Sequence, residues 1–261
     1  MTQDKIFKPN VQVLADADAV SRECLQRFVS AAENAIKTKG VFHFAISGGQ
    51  TPKGFFELLA SEPRARSLDW DKMHVFWVDE RYVPKDSPMS NYKLAADTFL
   101  TKLPIPKQNI HPIPTENENF ETSAREYEKT IHSVFGLKQG QLPVFDFILL
   151  GMGADGHTGS MFPGFYAAFD TRDIACVVYL LDQQLPDQQV NRITLTHPVL
   201  CEASRLVVLV NGEEKAETLK KVLTGPPDEV RYPIHTLWPA LDKILWLVDS
   251  KAAKLLSDND K

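Results

Sequence analysis

A mostly apolar run at residues 144–150 leads directly into a turn that combines glycines with titratable side chains. The turn reads Gly-Met-Gly-Ala-Asp-Gly-His-Thr-Gly-Ser-Met-Phe-Pro over residues 151–163 and contains Asp155 and His157. Open α/β proteins bind their ligands beyond the carboxyl ends of the strands, and an imidazole can exchange a proton near neutral pH. The run and its turn therefore predict a buried strand that ends in the catalytic loop of an enzyme.

The rest of the chain alternates between short apolar runs and amphipathic segments. Further strands are predicted at 41–46, 74–78, 177–181, 193–195, 206–210 and 244–248, and helices at 16–39, 52–59, 90–100, 120–135, 213–223 and 251–256. Continuous apolar strands that alternate with helices are typical of a parallel sheet covered on both faces. We therefore expect one α/β domain over residues 1–261, with a mainly parallel sheet and helices on both faces.

Composition excludes several classes of function. The net charge is −5 and the basic residues are scattered, which argues against a nucleic-acid partner. The chain has no run near the ~20 apolar residues that span a bilayer, so no membrane association is expected. Three cysteines, Cys24, Cys176 and Cys201, lie in apolar patterns. They predict free thiols in the core of a protein from a reducing compartment, and we expect a cytoplasmic location.

A second glycine-bearing turn follows the strand predicted at 41–46. Glycine lets a backbone approach a ligand closely, and the free amides at the start of the next helix favour an anion. Phosphate is the natural occupant, although a plain strand-to-helix turn would look the same in sequence. The residues of this turn are Ser47, Gly48, Gly49, Gln50 and Thr51.

Charged residues stand at three other places where ligands bind in such folds. Asp79, Glu80 and Arg81 are predicted to form a loop after a strand. We expect them to face either a cleft or one another, because unpaired buried charges are costly. Arg192 begins another strand, and Lys215 lies near the start of a helix. Both side chains can bind phosphate, but either one alone also fits an exposed surface residue.

Three familiar types of site are not supported. Gly151-x-Gly153-x-x-Gly156 matches the dinucleotide fingerprint, but Gly159 and the Pro163-Gly164 pair interrupt the helix that the fingerprint requires. No spacing of histidine, cysteine and carboxylate resembles a zinc site, and no Gly-x-Ser-x-Gly elbow supplies a nucleophilic serine. Water is therefore the expected nucleophile. Of the remaining histidines, two belong to predicted strands, His43 and His74. The others neighbour prolines or are expected on helix and loop surface: His111, His132, His197 and His235.

Taken together, these motifs resemble the 6-phosphogluconolactonase family along nearly the whole chain. The resemblance implies a Rossmann-like α/β sheet and neither a metal nor an organic cofactor. It also implies hydrolysis of 6-phospho-D-glucono-1,5-lactone to 6-phosphogluconate in the oxidative pentose phosphate pathway. The motifs are Ser47-Gly-Gly-x-Thr-Pro52, Val78-Asp-Glu-Arg81, Ser90-Asn-Tyr92, the turn at 151–163, Arg192-Ile-Thr-Leu-Thr196, Gly212-x-x-Lys215-Ala and Leu245-Trp-Leu-Val-Asp249.

The resemblance assigns roles to individual residues of this chain. His157 corresponds to the general base, and Asp155 orients its ring or binds a substrate hydroxyl. Arg81 stabilises the oxyanion or positions the sugar, and Asp79 binds a sugar hydroxyl or holds Arg81. The remote phosphate would be bound by Ser47, Gly48, Gly49, Gln50, Thr51, Arg192 and Lys215. Gln50 stands where the family commonly has serine, so one hydroxyl that could contact phosphate is missing.

Two rival functions use the same scaffold. The related glucosamine-6-phosphate deaminases need an additional carboxylate shortly after the histidine, and residues 158–162 contain no acid. Their first acidic motif usually reads Asp-Glu-Tyr rather than Asp-Glu-Arg. A sugar-phosphate sensor would carry a DNA-binding module, for which the chain has no room. The expected partner is a small sugar-phosphate lactone, bound by a monomer or a weak homo-oligomer.

Overall fold

The computed structural model describes residues 9–170, 172–180 and 190–257. Within these ranges a seven-stranded sheet has the order β1-β10-β9-β6-β2-β3-β5, and all its pairings are parallel. A second, antiparallel sheet has the order β4-β8-β7. The strands are β1 (Asn10–Leu14), β2 (Phe42–Ile46), β3 (Met73–Trp77), β4 (Asp79–Arg81), β5 (Ile110–His111), β6 (Phe147–Gly151), β7 (Ala175–Val178), β8 (Arg192–Leu195), β9 (Leu206–Val210) and β10 (Ile244–Asp249).

Helices connect most of these strands, as the alternating sequence pattern predicts. The longest, α1, has Asp16 as its N-cap, with Oδ1 accepting from the amide of Ala19, and ends at Gly40 with φ of 80°. The α-helices are α1 (Ala17–Lys39), α2 (Lys53–Ser61), α3 (Pro63–Arg66), α4 (Asn91–Ala95), α5 (Phe120–Phe135), α6 (His197–Glu202) and α7 (Ala216–Thr224). No helix in these described ranges is long and apolar enough to cross a membrane.

The two faces of the parallel sheet are covered by different helices. Phe28 of α1 makes edge-on ring contacts with Phe42 and Phe44 of β2, at centroid distances of 5.3 and 5.0 Å. His43 lies between these two residues and contacts Phe135, the last residue of α5, at 4.3 Å. Because successive side chains of a strand point to opposite faces, α1 and α5 lie on opposite sides of the sheet. The predicted α/β architecture is confirmed.

The order of the strands also determines where a ligand binds. From β2 the chain proceeds outward through β3 to β5, whereas from β6 it proceeds the other way through β9 and β10. β2 and β6 are neighbours, so the loops that leave their carboxyl ends diverge to opposite sides. Such a reversal leaves a crevice at the carboxyl edge of the sheet. The turns at 47–51 and 151–157 both begin there.

Several elements differ from the sequence-based prediction. Residues 79–81 form strand β4 rather than a loop, and the strands β1 and β5, helix α6 and a 3₁₀ helix at Pro233–Lys243 were not predicted. The predicted helix at 90–100 begins as α4 and continues as a π-helix over Ala96–Leu100. Residue 181, the end of one predicted strand, lies outside the described residues. The three cysteines are buried and free, as expected.

Candidate active site

A cavity of about 320 Å³ lies at the carboxyl edge of the sheet, between the loops that follow β2 and β6. All the residues that the sequence predicted for the site contribute to its wall except Asp155, which contacts His157 from behind. The predicted residues in the wall are Ser47, Gly48, Gly49, Gln50, Thr51, Asp79, Arg81, His157, Arg192 and Lys215. The structure therefore brings these ten residues together around one cavity.

His157 and Asp155 form a hydrogen-bonded pair on the turn after β6. Asp155 Oδ1 lies 2.5 Å from His157 Nδ1 and also accepts from the backbone amide of His157 at 3.1 Å. Burial raises the pKa of Asp155, but hydrogen bonds and charge from His157 outweigh this effect, so the pKa lies below its ordinary value. A neutral imidazole that donates its Nδ1 proton to this carboxylate has Nε2 free to accept one. Asp155 therefore contacts the ring nitrogen on the side away from Nε2, the contact that a ring-orienting role would require.

The tight turn around this pair depends on glycine. The amide of Gly153 donates to the carbonyl of His157 at 2.8 Å, and the amide of Gly156 donates to the carbonyl of Gly153 at 3.0 Å. A Cβ atom on Gly153 would lie 2.2 Å from both Cε1 and Nδ1 of His157. The turn leads to Phe162, whose ring packs against His157 at 4.6 Å, and not into a helix. The glycine spacing therefore belongs to a tight turn that carries His157 and Asp155 and not to the start of a helix, which the dinucleotide fingerprint requires.

The turn after β2 also lines the cavity. Gly49 has φ of 94°, a conformation that side chains disfavour, and α2 starts at Lys53 directly after it. Ser47 Oγ is buried without a hydrogen-bond partner among the described residues. Thr51 Oγ1 accepts from Lys215 Nζ at 3.2 Å, so the two segments meet at this end of the cavity. Gln50 is exposed at the rim.

Lys215 is brought to the cavity by the turn after β9. Asp249, at the end of β10, accepts the amide of Gly212 at 3.1 Å and thereby fixes this turn. Burial lowers the pKa of Lys215, and the nearby charges of Glu214 and Asp249 partly oppose the effect. The ammonium group is therefore a partly desolvated cation at the wall of the cavity, as an anion-binding role requires.

Arg192 is a buried cation whose positive charge is only partly balanced by a nearby carboxylate. Its residue is 7% exposed, and the distance from Nη1 to the nearest paired carboxylate oxygen, Asp79 Oδ2, is 4.0 Å. Its guanidinium lies 5.3 Å from the centre of the Phe162 ring, and Nε has no partner among the described residues. Burial lowers the pKa of Arg192 to about 10, with Asp79 raising it and Arg81 lowering it further. Such a cation favours an anion in the adjoining cavity.

The three charges of β4 have separate environments. Asp79 Oδ2 accepts from Ser160 Oγ at 2.6 Å, which joins β4 to the catalytic turn. Arg81 donates from Nη1 to the carbonyl of Met89 at 2.8 Å, so Met89 rather than Asp79 holds its side chain. Glu80 is buried and does not belong to the cavity wall. The prediction that all three face a cleft or each other is therefore wrong for Glu80.

Sequence reasoning missed the part played by Asn91. Its Nδ2 donates to the carbonyl of Asp79 at 2.8 Å, and it lines the cavity. A Cβ atom on Gly48 would lie 1.8 Å from Asn91 Oδ1, so this asparagine packs directly on the glycine turn. The motif Ser90-Asn-Tyr92 was noted as part of the family resemblance. No local pattern indicated that it meets a turn more than forty residues away.

The histidines outside the cavity also differ from expectation. His235 is fully buried, and His111 is buried beside the edge of the sheet, although both were expected beside prolines or on helix and loop surface. In the described part of the chain, no group of three or more histidine, cysteine, aspartate or glutamate side chains is arranged to hold a metal ion. The site therefore consists of an acid–base pair, two partly buried cations and glycine-rich backbone.

Comparison with known proteins assigns this arrangement to a family. Residues 15–246 match the family model described as glucosamine-6-phosphate isomerases/6-phosphogluconolactonase. A 6-phosphogluconolactonase from Nostoc sp. is 38% identical over 251 residues, covering 96% of this chain and all of the relative. A 6-phosphogluconolactonase from Haemophilus influenzae is 36% identical and covers 82% of this chain and 87% of its own length.

Several solved structures have the same fold as this chain. The 6-phosphogluconolactonase from Trypanosoma brucei has a TM-score of 0.82 at 28% identity, covering 96% of this chain and 100% of its own. That from Thermotoga maritima has a TM-score of 0.77 at 26% identity, covering 93% and 100%. A monomeric glucosamine-6-phosphate deaminase, at 21% identity and a TM-score of 0.79, covers 94% of this chain and 99% of its own and shares the fold alone. The chain therefore belongs to the glucosamine-6-phosphate isomerase/6-phosphogluconolactonase family.

Proposed function

We propose that this protein hydrolyses 6-phospho-D-glucono-1,5-lactone to 6-phospho-D-gluconate, with His157 as the general base. The observation that carries the proposal is that the His157–Asp155 pair and the cations Arg192 and Lys215 adjoin one cavity. A phosphorylated lactone needs a proton-transfer group at one end and an anion site at the other. The names of the full-length relatives support the same substrate.

The reaction begins with attack of water on the lactone carbonyl. His157 Nε2 takes a proton as the water oxygen bonds to the carbonyl carbon, and the carbonyl oxygen becomes an oxyanion. Arg81, whose side chain lines the cavity, stabilises that charge or positions the sugar. The C–O bond to the ring oxygen then breaks, and the same imidazole returns its proton to that oxygen. Atoms and protons balance, and the histidine is regenerated.

Asp155 supports both proton transfers. Its carboxylate accepts from Nδ1 at 2.5 Å, which stabilises the imidazolium formed after the first transfer. The lowered pKa of Asp155 keeps this carboxylate ionised in the pH range where the imidazole works. Proton transfer by such a positioned group typically accelerates a reaction by ~10²–10⁴-fold.

Phosphate binding would supply the anchoring energy. Lys215, Arg192 and the backbone of Gly48 and Gly49 would bind the phosphate and thereby position the carbonyl for His157. Each charge-assisted contact is worth roughly 1.5–3 kcal/mol. Asp79 Oδ2 is occupied by Ser160, so a sugar hydroxyl would use the other carboxylate oxygen.

The alternative activity is isomerisation with deamination of glucosamine 6-phosphate. Residues 158–162 of this chain contain no acid, whereas the ring-opening chemistry of the deaminases uses a carboxylate at that place, so the lactonase is favoured. A pH-indicator assay on freshly generated 6-phosphogluconolactone tests the proposal, because hydrolysis releases acid. Ammonia release from glucosamine 6-phosphate in a parallel assay would favour the alternative. If neither reaction occurs, the protein is a binder without this activity.

A further inference from the structure

Glu80 is the most completely hydrogen-bonded carboxylate near the cavity, although it does not line it. It is 3% exposed, and it lies on β4 between Asp79 and Arg81, both of which do line the cavity. Because successive strand residues point in opposite directions, the Glu80 side chain is directed behind the site. A buried carboxylate is costly unless it is well hydrogen-bonded, so its partners indicate its role.

All the partners of Glu80 are close in sequence to side chains of the cavity. Oε1 accepts from the backbone amides of Arg81 at 2.8 Å and Asn91 at 2.7 Å. Oε2 accepts from the backbone amide of Tyr92 at 2.7 Å and from Ser90 Oγ at 3.0 Å. Two oxygens with about four lone-pair sites therefore receive four donors. Three of these donors belong to the first residues of α4 or its N-cap, so the carboxylate fixes the start of that helix.

The consequence is that one side chain fixes two parts of the cavity wall. On one side it holds the backbone of Arg81, whose guanidinium reaches Met89 across the loop. On the other side it holds Asn91, which packs against Gly48 and donates to the carbonyl of Asp79. The glycine turn, Asn91, Glu80 and Arg81 thus form a continuous chain of contacts along the cavity wall.

We propose that Glu80 is a positioning residue of the lactonase reaction: its carboxylate holds Arg81 and Asn91 in the relative positions that the substrate requires. The inference rests on the proposed function, because Arg81 matters to catalysis only if the cavity binds the lactone. Glu80 itself touches no substrate. Its contribution is to hold Arg81 in position. A displacement of about 1 Å in such a group can lower a rate by about a hundredfold.

Glu80→Gln tests the proposal because it preserves shape while turning one oxygen into an amide group. Whichever oxygen is replaced, the new NH₂ faces two donors and loses both hydrogen bonds. We expect kcat to fall about tenfold to a hundredfold. The inhibition constant for inorganic phosphate should rise by a smaller factor, since Lys215 and Arg192 remain while the contact of Asn91 with Gly48 is loosened. A matched control is Asp146→Asn. Asp146 is a buried carboxylate that binds the amide of His43 and the ammonium of Lys39 at the amino ends of β2 and β6, remote from the cavity.

A double-mutant cycle separates positioning from general stability. If Glu80 acts through Arg81, Glu80→Gln should lower kcat far less in an Arg81→Ala background than in the wild type. Additive losses, or a kcat for Glu80→Gln within about twofold of that for Asp146→Asn at equal folded fraction, would overturn the proposal. If Glu80→Gln does not fold, Ser90→Ala removes one of the four bonds. A folded Ser90→Ala protein should lose at least about threefold in kcat, and a wild-type value would count against the proposal.

The proposed function has its own control in this experiment. Wild-type protein that does not hydrolyse the lactone would refute the proposed function. Wild-type activity together with unaffected turnover in the Glu80 and Ser90 variants would refute only the positioning role. The two failures are therefore distinguishable.

Discussion

Asp155 Oδ1 lies 2.5 Å from His157 Nδ1 and also accepts the backbone amide of the same histidine. One carboxylate oxygen thus fixes both the ring and the main chain of the proposed general base. His157→Asn removes the basic nitrogen while keeping a polar side chain. We expect kcat to fall by about 10²–10⁴-fold with the affinity for 6-phosphogluconate nearly unchanged, measured by initial rates and by calorimetry. Near-normal turnover of the His157→Asn variant would show that His157 is not the general base.

The carboxylate should matter mainly through the histidine. Asp155→Asn can still face Nδ1, but an amide neither stabilises an imidazolium as a carboxylate does nor selects the same tautomer. We expect kcat to fall by about tenfold or more and the combined Asp155→Asn/His157→Asn variant to be little worse than His157→Asn alone. Additive losses measured in the same rate assay would instead indicate that Asp155 contacts the substrate.

The sequence predicted the fold and most of the cavity because both depend on local patterns. Strand β9 and helix α5 were predicted with their observed bounds, since a continuous apolar run and a regular amphipathic repeat are local signals. The two-residue strand β5 was missed because it has no periodicity and is defined by pairing with β3. Strand β4 was read as a loop because its charged residues do not look like a strand, and its pairing with β8 is also nonlocal.

The same distinction applies to the site. His157 and the glycine turn stand out as residue types at strand ends, so they could be identified from sequence. Lys215 alone also fitted an exposed surface residue, and only the family motif Gly212-x-x-Lys215-Ala pointed to it. The functions of Glu80, Asn91 and Ser160 arise from contacts with distant residues, such as the bond from Ser160 to Asp79. His235 was misplaced for a similar reason. Its ring nitrogens contact the amide of Asp228 and the carbonyl of Val222, and such contacts satisfy a polar ring in the interior.

Gly153 should be needed for the geometry of the acid–base pair. A Cβ atom there would lie 2.2 Å from His157 Cε1 and 2.6 Å from Asp155 Oδ1, so Gly153→Ala must displace the pair. We expect kcat to fall by about a hundredfold in a protein whose thermal stability changes little. Gly54→Ala is a useful comparison because its Cβ atom, on the first turn of α2, would crowd Ser21 Oγ at 2.6 Å rather than His157 or Asp155. Equal effects of the two changes on kcat would contradict a specific role for Gly153.

Lys215 should bind phosphate in a pH-dependent manner. Lys215→Ala is expected to raise KM by about tenfold to a hundredfold, whereas Lys221→Ala, which removes an exposed ion pair with Glu217 on α7, should not. An unchanged KM for Lys215→Ala would show that the phosphate binds elsewhere in the cavity.

The sign of the pH effect follows from the burial of Lys215. Since burial lowers its pKa, the ammonium loses its proton at a lower pH than an ordinary lysine, and product affinity should weaken as the solution becomes alkaline. Lys215→Arg keeps its charge at such pH values and should retain affinity where the wild type loses it. Calorimetry with 6-phosphogluconate across the alkaline range provides the measurement. If affinity falls with pH in the same way in the wild type and in Lys215→Arg, the titrating group is not Lys215.

A buried group of three histidines should make the protein sensitive to acid, independently of the active site. His43 and His74 are register partners on β2 and β3, and His74 Nδ1 lies 3.0 Å from His111 Nε2 on β5. Burial, followed by the charges of the neighbouring histidines, lowers the pKa of His111 to about 4 and that of His43 to about 3. The charge of Lys39 also lowers that of His43, and burial lowers the pKa of His74.

The free energy of unfolding should therefore depend on pH in a defined range. In the unfolded chain these histidines have pKa values of about 6.5, so below this pH the unfolded state binds protons that the folded state does not. The stability that the neutral rings provide is complete above about pH 6.5 and is lost as the pH falls toward the folded-state values. Each histidine adds at most about 1.4 kcal/mol per pH unit in this interval. Urea titrations between pH 4 and 7 should show this slope of the free energy of unfolding against pH. His43→Gln should reduce the slope by the equivalent of about one bound proton. An unaltered slope in that variant would show that the acid sensitivity arises outside the three histidines.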